Sequence, residues 1–443
     1  YKDGTLGKFT TSLALKVYDY LAGVKREERR KMLNVEETLR RLPLLKKEGL
    51  KGSGYYVEYR TDDARLTIEV IKKAVEYGVI AINYTRVDGF LYDRGRICGV
   101  KVTDLLSGES YEIRAIKVVN ATGPWVDTLR EIDGSKKGKT LHLTKGVHLV
   151  IDKSRLPLEQ AVYFDTPDGR MVFAIPRGNK TYVGTTDTNY HDDIAKPRMT
   201  NEDRDYLIDC VNYIFPEVRL TKKDIESSWA GLRPLIHQEG KDPSEISRRD
   251  EIFESESGLV SIAGGKLTGY RKMAETVVDR LVPELSAHTG RSYSPCQTKN
   301  MPISGGDTGG SRGFVTYVQN QIKRGQSIGL KAEEAEMLAR LYGTNSDILF
   351  RLITDRAENE TAALPRTIRA MIDYAVQYEM AAHPNDFFIR RTGTLFFDIK
   401  WVHKWKEPVL DYMAQLLGWS EEQRSKYKQE LEEELHFAVH PES

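Results

Sequence analysis

"VSIAGGKLTGYRKMAETVVDRL", residues 260–281, has the pattern of a buried strand, a glycine turn and an amphipathic helix. Its first four residues are small or apolar, and in the helical part Met273, Val277, Val278 and Leu281 recur on one side. A strand-to-helix turn directs backbone N–H groups and the positive end of a helix dipole at whatever lies above it. We therefore predict that this turn faces an anionic or electron-rich ligand.

Two known phosphate-binding motifs do not fit the turn. A P-loop, GxxxxGK[ST], would need a glycine where Val260 stands and Ser or Thr where Leu267 stands. The GxGxxG spacing of a dinucleotide turn is also missing. On its own, the motif is equally compatible with an ordinary turn glycine at Gly265 and a solvated side chain at Lys266. The rest of the chain must therefore identify the ligand.

Composition excludes several classes of function. The 443 residues suffice for two or three domains, and 66 basic against 65 acidic residues leave a net charge of +1. This balance does not favour nucleic acid or an anionic membrane as a partner. Cys98, Cys210 and Cys296 are widely spaced, so we expect a reducing compartment without disulfides and no metal site. No apolar run approaches the roughly 18 residues that span a bilayer, so we expect a soluble or, at most, peripheral protein.

Periodicity divides the chain into a mixed region and a helical region. Helical spacing occurs at 9–23 and Ala64–Tyr77, and strand patterns at 79–93, 96–104, 110–119 and across 141–187. The apolar strand Ile116–Val119 runs into Asn120-Ala121-Thr122-Gly123-Pro124, where small residues allow close approach to a flat ligand. After "SGGDTGGSRG", residues 304–313, which we interpret as a flexible linker, the chain is charged and helical.

Six motifs together resemble one enzyme family. In chain order they are "VEYRTDDARL", "VVNATGPWVD", "VGTTDT", "WAGLRPL", "SRRDEI" and "SIAGGKLTGYRKMAE". They resemble the FAD-dependent glycerol-3-phosphate dehydrogenase family over essentially the whole chain. The pair "GGKLTGYR" and "NATGPWVD" separates this family from amine and amino-acid oxidases of the same fold. The extra insertion of the oxidase branch is not seen, so the resemblance favours a dehydrogenase.

The resemblance implies a fold class of α/β plus α, the FAD-linked oxidoreductase fold with a C-terminal helical cap. We expect an oxidoreductase region over 1–300, a linker over 301–313 and the cap domain over 314–443. Within the first region, 60–135 and 250–290 would belong mainly to the cofactor domain, and 20–60 and 136–249 mainly to the antiparallel-sheet substrate domain. Members of the family begin with a strand, a GxGxxG turn and a helix that have no counterpart here. We therefore expect the sequence to be part of a longer flavoenzyme.

The implied reaction is oxidation of sn-glycerol 3-phosphate to dihydroxyacetone phosphate, with hydride transfer to FAD and electrons passed to a quinone. The resemblance implies glycerol 3-phosphate and quinone as partners and no nucleic acid, with a homodimer and a peripheral membrane contact left open. The implied location is cytoplasmic, with the inner face of the cell membrane left open.

The resemblance also selects residues for substrate. Arg233 and Arg249 match the family's phosphate-binding positions, and Lys266 matches a lysine beside flavin and substrate. Guanidinium groups suit this task because they offer paired donors in a fixed geometry. His148 is the best match for the base, since a neutral imidazole can accept a hydroxyl proton. We expect His148, Lys266 and Arg233 to be catalytic, although surface ion pairs for the arginines and a structural role for His148 stay open, and His142 is a same-face neighbour.

The residues expected to bind the cofactor lie in three places. They are Val87, Ala121, Thr122, Gly123, Gly265, Lys266, Leu267 and Thr268. Three alternative functions remain: a glycerol-3-phosphate oxidase, an amino-acid or amine flavin oxidase of the same fold, and a non-catalytic remnant that kept the phosphate pocket. A carboxylate-binding oxidase would need one arginine, whereas Arg233, Arg249 and Lys266 are all present.

Overall fold

The computed structural model describes Tyr1 and residues 7–21, 29–238, 250–355 and 363–442. Arg249, predicted to bind phosphate, lies outside these ranges. Within them, no helix is both long enough and apolar enough to cross a bilayer.

Strands dominate the first part of the chain and helices the second. The strands are β1 (Lys31–Leu33), β2 (Ser53–Tyr55), β3 (Thr85–Asp93), β4 (Arg96–Asp104), β5 (Ser110–Arg114), β6 (Val119–Asn120), β7 (Lys139–Asp152), β8 (Val162–Asp165), β9 (Met171–Arg177), β10 (Lys180–Gly184), β11 (Thr188–Asn189), β12 (Ile225–Gln238), β13 (Glu251–Glu254) and β14 (Val260–Ala263). The helices are α1 (Lys8–Leu21), α2 (Val35–Arg41), α3 (Asp63–Glu76), α4 (Val126–Ile132), α5 (Asn201–Ile214), α6 (Tyr270–Thr289), α7 (Gly310–Ser327), α8 (Ala332–Tyr342), α9 (Ser346–Thr354), α10 (Arg366–Glu379), α11 (Thr394–Phe397), α12 (Ile399–Leu417) and α13 (Glu421–Val439).

The largest sheet is antiparallel and is organised around β7. Strand β12 pairs with β7 along nearly its whole length, and β10 and β11 pair with the opposite edge of β7. Side chains alternate along β7, so Val147, Leu149 and Ile151 enter a buried core that includes Leu207 and Val211 of α5. The intervening residues of β7 therefore belong to the opposite face of the sheet.

A second, smaller sheet leads into the glycine turn of residues 260–281. Strands β14 and β6 are parallel, and β13 flanks β14 in the antiparallel direction. The predicted strand over 260–263 is confirmed, and the helix after it is α6, which a short 3-10 turn, Leu267–Gly269, precedes. Two parallel strands thus end beside each other, at Asn120 and Ala263.

Two strand predictions are corrected at their ends. The strand predicted over 79–93 begins only at Thr85, and Ile80 is 86% exposed. The apolar strand predicted over Ile116–Val119 is reduced to the two residues of β6. An extended segment becomes a strand only when its backbone groups find a partner, and the described residues provide no strand beside 79–82.

The flexible linker predicted over 304–313 is also wrong in part. Ser304 is buried, and its N–H donates to the Glu69 carbonyl at 3.2 Å. The Gly305 carbonyl accepts from the Thr344 N–H at 3.0 Å, and α7 already begins at Gly310. The glycine-rich composition suggested a flexible backbone, but hydrogen bonds fix this segment between α3 and the helical region. The other domain boundaries stay predictions.

A buried ionic cluster joins α3 to the helical region. The two terminal nitrogens of Arg65 donate to the two carboxylate oxygens of Glu379 at 2.9 and 2.7 Å, and the Glu379 side chain is fully buried. Lys72 Nζ lies 3.2 Å from the same carboxylate and 2.5 Å from the Tyr374 hydroxyl. A forked pair of this kind fixes the relative orientation of α3 and α10.

We expect Glu379→Ala to lower the free energy of unfolding by about 3 to 5 kcal/mol, because the buried Arg65 guanidinium then loses its forked carboxylate partner and keeps only Glu69 as an ionic partner. Urea denaturation followed by circular dichroism measures the change. Glu336→Ala is the matched control, since Glu336 pairs with Arg340 on an exposed face of α8 and should contribute less than about 0.5 kcal/mol. Equal effects of the two substitutions would contradict the role assigned to the cluster.

Candidate active site

The candidate site lies on the face of the large sheet opposite α5. Strand register places Gly184 of β10 and Trp229 of β12 on either side of His148. Further along the same strands, Gly231 lies opposite Gly146, and Arg233 lies opposite Thr144. Because side chains alternate, His148 and Arg233 belong to the same face of the sheet.

The His148 ring lies between its two cross-strand neighbours. It is parallel to the Trp229 indole, with ring centroids 4.7 Å apart and planes 8° apart. A side chain at Gly184 is impossible without rearrangement, since its Cβ would lie 2.3 Å from His148 Cδ2. Burial, with a smaller contribution from the charge of Arg233, lowers the pKa of His148 to about 4. The imidazole is therefore neutral at neutral pH and can accept a proton.

Arg233 lies over Gly146 and makes one ordinary and two long polar contacts there. A Cβ at Gly146 would lie 2.6 Å from the Arg233 guanidinium, so glycine provides the space that this group occupies. The guanidinium donates to the Thr185 hydroxyl at 3.0 Å and to the Thr186 carbonyl at 3.3 Å. The Asp187 carboxylate lies 3.4 Å away, and the Arg233 side chain is 36% exposed. A partly exposed guanidinium with long contacts can exchange them for a bound anion.

Lys266 is exposed at the end of β14, immediately before the 3-10 turn. Ile236 of β12 and Ala263 of β14 belong to one small buried apolar cluster with Val126. Ile236 is three residues after Arg233, and Ala263 is three residues before Lys266. Within the described ranges, no hydrogen bond or ion pair joins Lys266 to Arg233 or His148. The structure thus brings His148 and Arg233 onto one sheet face and places Lys266 on the adjoining sheet.

The ends of β6 and β14 fit the ring of a flavin. Gly123, Gly264 and Gly265 have positive φ angles of 58°, 80° and 75°, a conformation that glycine adopts readily. Because glycine has no Cβ, a ligand can approach the backbone closely at these positions. The crevice at the carboxyl ends of parallel strands is the usual ligand site of such sheets. The Asn120 amide stabilises this end of β6 by donating to the Val126 carbonyl at 2.9 Å and to the Ser261 hydroxyl at 3.1 Å.

The other residues predicted to bind the cofactor divide into two groups. Ala121 is exposed at the end of β6 and Thr122 donates to Asn120 Oδ1 at 2.7 Å, while Leu267 and Thr268 are exposed in the 3-10 turn before α6. All four therefore lie where a planar ligand could meet the strand ends. Val87 is different, because it lies in β3, pairs with Val102 of β4 and packs against a small apolar core.

A cavity of about 510 Å³ opens beside His148. Sequence reasoning missed the aromatic side chains that line it: Phe173, Tyr182 and Trp229 from the sheet, and Phe396 and Phe397 from α11. Trp229 is the first residue of the "WAGLRPL" motif and could have been found from its place in that motif. No sequence signal connects Phe396 or Phe397 to His148 or Arg233, both of which lie more than one hundred and fifty residues earlier in the chain.

Family models match most of the chain. The model described as FAD dependent oxidoreductase matches residues 7–271. The model described as the C-terminal domain of alpha-glycerophosphate oxidase matches residues 296–424. The first match includes every described residue assigned to the candidate site by sequence, and the second includes Phe396 and Phe397.

Individual relatives agree with these models. An aerobic glycerol-3-phosphate dehydrogenase of Bacillus subtilis (strain 168) is 57% identical over 442 residues, which cover 100% of this chain and 80% of the relative. Another, from Staphylococcus aureus (strain USA300), is 54% identical over 99% of this chain and 79% of the relative. The crystal structure of the glycerol-3-phosphate dehydrogenase from Bacillus halodurans complexed with FAD matches with a TM-score of 0.87 and 53% identity, over 93% of this chain and 80% of that one. The chain therefore belongs to the FAD-dependent oxidoreductases, in the family of the aerobic glycerol-3-phosphate dehydrogenases.

Proposed function

We propose that the protein oxidises sn-glycerol 3-phosphate to dihydroxyacetone phosphate as an FAD-dependent dehydrogenase. The observation that supports this most strongly is the presence, on one sheet face, of a neutral imidazole and a partly exposed guanidinium, His148 and Arg233. A secondary alcohol that carries a phosphate needs both, because one group removes the hydroxyl proton and the other binds the dianion. FAD, when bound, supplies the acceptor for the hydride.

Arg233 binds the phosphate in this proposal. Its present partners are two neutral oxygens and one carboxylate at 3.4 Å, so the phosphate can replace long contacts with short charge-assisted ones. Lys266, at the end of β14, and Arg249 are assigned to the same anion by their places in the family motifs. This arrangement holds the substrate by the end that does not react and thereby orients C2.

His148 accepts the proton of the C2 hydroxyl. Its imidazole is neutral because burial lowers its pKa to about 4, so the proton-accepting form predominates at neutral pH. Arg233 also lowers this pKa, and a phosphate dianion bound to Arg233 offsets that charge. Substrate binding therefore makes the imidazole a stronger base when the hydroxyl is in place.

The turns after β6 and β14 hold the flavin ring in this proposal. Ala121, Thr122 and Gly123 line it from one strand, and the segment Gly265–Thr268 from the other. The backbone N–H groups of the second turn and the N-terminus of α6 stabilise negative charge that develops near them. Val87 would contact the adenine end, as its place in the family motif implies.

The electron acceptor and the assembly are finer parts of the proposal. We infer a quinone acceptor, a peripheral membrane contact and a homodimer from the family resemblance. The C-terminal match to a glycerophosphate oxidase model supports the alternative of an oxidase, in which oxygen is the acceptor. Parallel assays of quinone reduction and hydrogen peroxide formation by the FAD-loaded protein distinguish the two.

Replacing Arg233 with Ala should lower kcat/KM for glycerol 3-phosphate by an amount equivalent to about 2 to 5 kcal/mol. The discrimination between glycerol 3-phosphate and glycerol should also fall, since the cation that binds the phosphate is removed. Arg233→Lys should recover only part of the loss, because an ammonium group cannot form a forked pair. Steady-state kinetics of the FAD-loaded variants with both substrates measure these effects.

Arg170→Ala is the matched control for Arg233→Ala. Arg170 lies in the turn that joins β8 to β9 of the same sheet, is similarly exposed and also pairs with an aspartate, Asp168, but it contacts Tyr206, away from His148. We expect its kcat/KM to stay within about twofold of the parent value. An Arg233→Ala enzyme with unchanged preference for the phosphorylated substrate would show that the anion binds elsewhere.

His148→Gln should lower kcat by about a hundredfold or more, because an amide cannot accept the hydroxyl proton. His142→Gln is the control, since His142 lies on the same strand but bonds to Asn189 at 2.8 Å and should tolerate the change. In the parent enzyme, kcat/KM should fall as the pH drops toward the His148 pKa of about 4, because the protonated ring is inactive. A His148→Gln enzyme with the parent kcat and pH profile would exclude His148 as the base.

A further inference from the structure

The orientation of the His148 ring is not fixed by a hydrogen bond. Its Nδ1 atom is buried and has no hydrogen-bond partner among the described residues. A catalytic histidine is commonly oriented by a carboxylate or carbonyl that accepts from its second nitrogen. Here the ring is instead confined by shape, between the backbone of Gly184 and the indole of Trp229. Whatever holds Trp229 therefore also holds His148.

Trp229 is held from outside the sheet by α11 of the helical region. Its ring centroid lies 5.5 Å from that of Phe396 and 5.3 Å from that of Phe397. Phe397 also contacts Tyr182 at 5.9 Å between ring centroids, and Tyr182 lies 5.6 Å from Trp229. Phe396, Phe397 and Tyr182 thus form an aromatic cluster around Trp229.

Polar contacts fix α11 and α13 against the sheet. The Ser227 hydroxyl donates to the Phe396 carbonyl, and the Ser228 hydroxyl donates to the Ala438 carbonyl at 2.9 Å. Ser227 and Ser228 directly precede Trp229 in β12, so the helical region is bonded to the strand at the place that carries the indole. The Arg177 guanidinium covers the other side of Phe397, 3.8 Å from its ring centroid.

We propose that Phe396 and Phe397, acting through Trp229, hold the His148 ring in its reactive orientation, so that the helical region positions the catalytic base. The role of His148 as base rests on the proposed function, but the placement of its ring does not. The helical region thereby becomes part of the active site although it supplies no group to the proton transfer.

Several charged or titratable groups surround the ring and bear on its titration. Arg233 on β12 and Tyr182 on β10 flank it, and Arg177 on β9 and Arg390 of the helical region line the adjoining cavity. The segment before α3 and the start of α3 add further charges to that cavity: Glu58, Arg60, Asp62 and Asp63. A substitution that removes only an aromatic ring leaves all these charges in place, so a change in the His148 titration then reports its burial.

The experiment compares Phe396→Ala, Phe397→Ala, Trp229→Ala and the conservative Trp229→Phe with Tyr378→Ala. Tyr378 is the control because it is an exposed aromatic residue of the same helical region that stacks on Tyr374, away from the site. In the protein without flavin, the carbon-bound proton of His148 is followed by NMR as the pH is changed. In the FAD-loaded enzyme, kcat and KM for glycerol 3-phosphate are measured.

We expect the alanine variants at Phe396, Phe397 and Trp229 to raise the His148 pKa toward its ordinary value and to lower kcat by about tenfold to a hundredfold. KM should stay within about twofold, because Arg233 is untouched. Trp229→Phe, which preserves an aromatic surface and the fold, should recover most of kcat, and Tyr378→Ala should match the parent protein in both measurements.

Two results would overturn the proposal. One is an unchanged His148 titration in Phe396→Ala, Phe397→Ala and Trp229→Ala, whatever happens to kcat. The other is a Trp229→Phe enzyme as impaired as Trp229→Ala, which would mean that an aromatic cover is not what orients the ring. A shifted titration with the parent kcat would support the placement of the ring but exclude His148 as the base. Failure of the proposed function can therefore be distinguished from failure of this inference.

Discussion

The antiparallel pairing of β7 with β12 is the constraint on which the rest of the site depends. Its register sets Trp229 beside His148 and Gly231 beside Gly146, and carries Arg233 onto the same face. Because side chains alternate along a strand, a slip of one residue would turn His148 toward the apolar core beneath α5. That core of valine, leucine and isoleucine side chains fixes the register and hence the geometry of the polar face.

Glycines make room on this face for two large polar side chains. His148 lies over Gly184, and Arg233 lies over Gly146, in each case closer than a Cβ would allow. The helical region then closes the site from the side, through hydrogen bonds to β12 and through the ion pair of Arg65 with Glu379. A guanidinium and an imidazole are thus held by packing and remain available to a ligand.

Much of this arrangement could be predicted from sequence, where local pattern or family motifs carry the information. The β14 strand, α3 and the helical C-terminal region follow from periodicity, and His148 and Arg233 follow from their motifs. The start of β3 and the length of β6 could not be predicted, because a strand needs a partner that its own sequence does not reveal. Ser304 in a glycine-rich segment is fixed by contacts with distant Glu69, and Phe396 reaches Trp229 only through the tertiary fold.

In the proposed reaction, one sheet face both binds the phosphate and removes the hydroxyl proton. The most direct measurement is a crystal structure of the FAD-loaded protein with glycerol 3-phosphate bound. We expect phosphate oxygens within hydrogen-bond distance of the Arg233 guanidinium and the C2 hydroxyl within the same distance of a His148 ring nitrogen. A substrate whose phosphate is bound by other cations of the cavity, such as Arg177 or Arg390, with no contact to His148, would contradict it.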